Sequence, residues 1–88
     1  MKIKSNFILR KVADTNVVLP LGASVAGFKG MLTLNASGVM LWELLVQGST
    51  EEELALALEN EYEVEHETAL SDVKEFIENL KSIDCIDM

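Results

Sequence analysis

The sequence has 88 residues, 49% of them apolar, a net charge of −8 and one cysteine, Cys85. That length suits a single domain near the lower size at which an apolar core sustains itself, and the composition excludes a disordered chain. One cysteine excludes an internal disulfide and cannot supply a structural zinc site.

The first residues, Met1 to Asn6, are polar and do not form a signal peptide, and no apolar run approaches a membrane span. The expected setting is therefore cytosolic, with no membrane partner. Charge is unevenly distributed. Lys2, Lys4, Arg10, Lys11 and Lys29 face only Asp14 before Asn35, whereas Lys74 and Lys81 stand alone among fourteen acids after it. So acidic a surface repels phosphate backbones and disfavours nucleic acid as a partner.

Up to Asn35 the apolar residues fall in short β-type runs. Phe7 to Val12 reads as a first strand, Asp14-Thr15-Asn16 as a turn and Val17 to Leu21 as a second strand that ends or lies at an edge at Pro20. Gly22 to Gly27 reads as a flexible connection, and Phe28 to Leu34 as a third strand completing an antiparallel meander.

After Asn35 the pattern is helical. Asn35 caps a helix running to about Gln47 and closed by Gly48, apolar nearly all round as befits a central element. Thr50 with Glu53 fits a capping box opening a second helix, with Leu54, Leu58 and Tyr62 on one face. A third helix spans about Glu67 to Ile83, and Ala69, Val73, Phe76, Leu80 and Ile83 form its apolar stripe. Glu65 is a weak cap for its start. Strands followed by three helices give an α+β domain with a winged helix-turn-helix-like layout.

Catalytic parts are scarce. His66 is flanked by Glu65 and Glu67, but adjacent helical side chains diverge and do not converge on one metal ion. Cys85, at a terminus expected to fray, lies near Asp84 and Asp87, which suppress its thiolate. The scattered glycines carry no phosphate-cradling pattern. No cofactor and no enzymatic activity are expected.

A binding surface is easier to place. The third strand lies at an edge of a three-stranded sheet, and an exposed edge accepts an incoming strand. On it, Gly30 leaves the backbone accessible and Met31 adds an adaptable apolar contact. On the third helix, Leu70, Lys74, Ile77 and Lys81 form a second row at helical spacing. That row fits equally a boundary stripe whose lysine stems cover apolar surface and a groove wall for an amphipathic, acidic peptide.

Leu34-Asn35-Ala36-Ser37-Gly38, Trp42-Glu43-Leu44-Leu45, Gly48, Thr50, Glu53-Leu54, Tyr62, Val64, Ala69, Asp72-Val73, Phe76-Ile77 and Leu80 together resemble the PqqD-like family. These are the coenzyme PQQ synthesis protein D proteins and related recognition elements for ribosomally made, modified peptides. The resemblance covers roughly Phe7 to Leu80. It implies a non-catalytic chaperone that binds the leader of a precursor peptide by strand addition and presents it to a modifying enzyme such as a radical SAM protein. The implied site is Lys29, Gly30, Met31, Leu32, Thr33 and Leu34 facing Leu70, Lys74, Ile77 and Lys81, with Trp42 in the core. The Gly22 to Gly27 connection and the closing residues Ser82 to Met88 depart from the family pattern.

Two other readings compete. A winged-helix nucleic-acid-binding domain would need a basic recognition helix, yet the third helix carries Asp72, Glu75 and Glu78. A self-assembling module could form a homodimer by strand exchange through the Gly22 to Gly27 hinge.

Overall fold

The computed structural model describes residues 1–20 and 32–87. The elements are β1 (Lys2–Ile3), β2 (Phe7–Val12), β3 (Thr15–Pro20), β4 (Thr33–Leu34), α1 (Ala36–Gln47), α2 (Glu51–Tyr62), α3 (His66–Ser82) and β5 (Ile86–Asp87). A three-stranded antiparallel sheet in the order β2-β3-β4 precedes three helices, the α+β architecture expected.

The strands begin from a tight hairpin. Val12 pairs with Thr15, so the turn is Ala13-Asp14 rather than the segment Asp14 to Asn16, and Thr15 and Asn16 belong to β3. Ala13 carries the left-handed conformation, φ 55°, that this two-residue loop demands. Of the expected third strand, Thr33–Leu34 forms β4, and Phe28 to Met31 lie outside the described residues, as does the Gly22 to Gly27 connection.

The helix boundaries follow from their caps. Asn35 accepts a hydrogen bond from the Gly38 amide at 2.9 Å to start α1, and Gly48, at φ 101°, ends it. Gly38 also lets α1 approach β4: a Cβ there would meet the Leu34 Cβ at 3.2 Å. Thr50 and Glu53 form the full capping box of α2, and Glu63 closes that helix at φ 52°. Glu65 makes no side-chain cap for α3. Instead, His66 Nδ1 lies 2.8 Å from the Glu59 carboxylate of α2, with Glu52 at 3.7 Å from Nε2.

The core joins Val18 of β3 and Leu34 of β4 to Leu41, Trp42 and Leu45 of α1, Leu54 and Leu58 of α2, and Val73, Ile77 and Leu80 of α3. Trp42 is buried there, mid-helix, as its apolar neighbours suggest.

The C-terminal segment does not fray. β5 pairs antiparallel with β1, with Ile3 opposite Ile86 and Lys2 opposite Asp87. The Lys4 amide donates to the Cys85 carbonyl at 2.9 Å, Lys4 Nζ reaches Asp84 at 2.8 Å, and the Ser49 amide bonds the Met1 carbonyl at 2.9 Å. These ties bury Cys85 with Ile3 and Ile86, and desolvation pushes its thiol up to about 11. The polar N-terminal sequence conceals this because only Ile3 of β1 turns inward.

Candidate functional site

β4 lies at one edge of the sheet, and its register determines which backbone groups it leaves open. The Val18 amide donates to the Leu32 carbonyl at 2.8 Å, and Leu34 lies opposite Asn16. In an antiparallel ladder the backbone groups of successive residues alternate sides. Leu32 and Leu34 therefore face β3, and the N–H and C=O of Thr33 face outward. Among the described residues they take no backbone partner. The other edge, β2, exposes Arg10 and Lys11, charges of the kind that blunt a sheet edge against pairing.

Beside β4 runs a cleft of about 820 Å³. Leu32, Thr33 and Leu34 form one side, and the first turn of α1, from Asn35 to Gly38 with Leu41 below, forms the end. Leu58, Tyr62 and Val64 contribute from α2 and the segment that follows it. The opposite wall is α3, through Asp72, Glu75, Phe76 and Asn79. Asn35 thus serves two purposes, since its capping carboxamide also lies at the cleft.

The expected wall of α3 is a different one. Ile77 is 1% exposed and belongs to the core with Val73 and Leu80, so it presents nothing to a guest. Leu70, Lys74 and Lys81 are not among the residues lining the cleft. On a helix of 3.6 residues per turn, Lys74 and Phe76 lie roughly 200° apart. The lysine row occupies the flank of the core stripe that faces away from the cleft, and Lys81 pairs there with Glu78 at 3.8 Å. Leu32, Thr33 and Leu34 do lie at the cleft, whereas Lys29, Gly30 and Met31 fall outside the described residues.

Of the lining, only Leu32, Thr33 and Leu34 were expected; sequence reasoning missed the first turn of α1 with Leu41, the residues Leu58, Tyr62 and Val64, and on α3 Asp72, Glu75, Phe76 and Asn79. Tyr62 leaves 44% of its surface exposed, more than an aromatic serving only the core would. Among the described residues, no helix is long and apolar enough to cross a membrane.

A strand edge left unpaired among the described residues and facing a helix across a partly apolar cleft is the geometry of a small peptide-recognition domain, a class that works by main-chain pairing. The model of the family described as coenzyme PQQ synthesis protein D (PqqD) matches residues 16–86, and the chain belongs to that family. Among solved structures it is similar to TbiB1 in complex with the TbiA(beta) leader peptide, at 29% identity, covering 99% of this chain and 95% of that one with a TM-score of 0.76. It shares its fold with lasso peptide synthetase B1 complexed with its leader peptide, at 21% identity, 96% and 93% coverage and a TM-score of 0.72. No curated protein matches the sequence.

Proposed function

We propose that this chain is a single, non-catalytic, cytosolic peptide-recognition domain that binds the leader of a ribosomally made precursor peptide and presents it to a modifying enzyme, such as a radical SAM protein. The observation that carries this reading is the outward-facing backbone of Thr33 beside the cleft between β4 and α3. A leader in extended form adds a strand at Thr33, and its inward side chains rest on Leu41, Leu58 and Phe76. Main-chain bonds supply register, and burial of those side chains supplies most of the affinity. Membership of the PqqD family and likeness to a TbiB1–leader complex support the same reading.

Thr33→Pro tests it directly. Its amide makes no bond to β3 or to any other described residue, so proline removes a donor available to an incoming strand. Peptides selected by display from a random library against the wild-type chain are expected to shift the NMR signals of Leu32 to Leu34 and Phe76, and to lose binding to Thr33→Pro while circular dichroism stays unchanged. Selected peptides that bind both forms equally, or that shift signals elsewhere, would overturn the assignment. Sedimentation over a concentration range separates the guest from a second copy of the chain pairing through the same edge.

A further inference from the structure

The cleft is apolar at its base and acidic along one wall. Asp72 and Glu75 line it from α3, both exposed, and neither has an ion-pair partner among the described residues. Tyr62 is the remaining titratable group on the lining, and no described lysine or arginine lies there. The lysines of α3 face away on the other flank, so they do not neutralise this wall. A net charge of −8 adds a long-range field of the same sign.

We infer that the cleft selects a basic peptide segment, one in which an apolar anchor is separated by one residue from a lysine or arginine. This rests on the peptide-binding reading above and adds the chemistry of the guest to it. The anchor sits on Phe76, and the cation meets Asp72, one helical turn toward the start of α3, with Glu75 on the same wall. The spacing follows from geometry. Four residues of α-helix advance about 6 Å, and two residues of an extended chain lying along the helix advance nearly the same, about 6.6 Å. Residues two apart on a strand also share a face, so anchor and cation both point at α3. An acidic guest, by contrast, would bring its carboxylates against Asp72 and Glu75 with no described cation in between.

The experiment is a pair of display selections from one random library, at low salt, against the wild-type chain and against the Asp72→Asn/Glu75→Gln double variant. Both side chains are exposed, and circular dichroism verifies that the variant is folded. Peptides enriched on the wild type are expected to carry lysine or arginine two positions from an apolar residue, and those from the variant to keep the apolar residue without the cation. For one wild-type winner, replacing its cation with glutamine weakens binding about fivefold, a difference that is absent in the variant and fades at about 0.5 M salt. Enrichment of neutral or acidic peptides on the wild type, still sensitive to Thr33→Pro, overturns this inference and leaves the peptide-binding function in place. The same cationic enrichment on both proteins overturns it as well. Failure to enrich any peptide sensitive to Thr33→Pro removes the function itself.

Discussion

The two flanks of α3 differ more than their sequence suggests. One carries Phe76 and Asn79 with Asp72 and Glu75, and lines a cleft beside an open strand. The other carries Leu70, Lys74 and Lys81 and lies away from it, with Lys81 tied to Glu78. Between them runs a buried ridge of Ala69, Val73, Ile77 and Leu80. A helix with a core stripe always has two shoulders, and in the proposed binding mode the peptide takes the shoulder beside the backbone edge that is unpaired among the described residues. Greasy-and-charged composition alone does not select it.

The sharpest way to break this comparison is on the ridge. Ile77→Asp should destabilise the domain by about 4 kcal/mol or more, because a carboxylate enters the core and a cavity opens around it. Denaturant unfolding measures this, and a folded Ile77→Asp protein that had merely lost peptide binding would put Ile77 back on the surface. Phe76→Ala is expected to cost only about 1–2 kcal/mol of stability, since the ring is partly exposed, while lowering affinity for selected peptides about tenfold or more. Titration calorimetry alongside thermal unfolding separates the two effects.

The opposite shoulder offers the smaller test. Lys74→Glu with Lys81→Glu should leave peptide affinity within about twofold and stability within about 0.5 kcal/mol. A large loss of binding would transfer the guest to the lysine flank.

The weakest effect lies at the junction of α2 and α3. The hydrogen bond that the His66 ring donates to Glu59, reinforced by the charges of Glu59, Glu52 and Glu67, holds the His66 pKa above its ordinary 6.5. A raised folded-state pKa means that the contact contributes fully below about pH 6.5 and fades as pH rises through the folded value. The His66 ring signals in NMR should titrate above those of an unfolded peptide and return toward them in Glu59→Gln. Identical titrations would show that the contact does not persist in solution.

These two shoulders also explain what the sequence could and could not convey. Ala69, Val73 and Leu80 fix the direction of the core stripe, but Phe76 and Ile77 lie almost symmetrically to either side of it. Helical spacing of three or four residues accommodates either one inside. Sequence alone places the larger ring in the core stripe; in the fold Phe76 packs at the edge of the core and lines the cleft, and Ile77 is fully buried. Caps were legible because their chemistry is local: Asn35, Gly48, Thr50 and Glu53 each satisfy groups within three residues. β1 and β5 were not, since a strand of two residues leaves no periodicity to detect, and their partners lie more than eighty positions apart.

The pairing of β1 with β5 has a consequence for how such a module can be deployed. With Lys2 facing Asp87 across a ladder, the polypeptide enters and leaves at one point, like a loop drawn closed by a knot. A unit of this shape can be spliced into a surface loop of a larger enzyme without stretching either junction, or cut open elsewhere and rejoined through a short linker. Covalent attachment to a host would then replace diffusional encounter with a fixed local concentration.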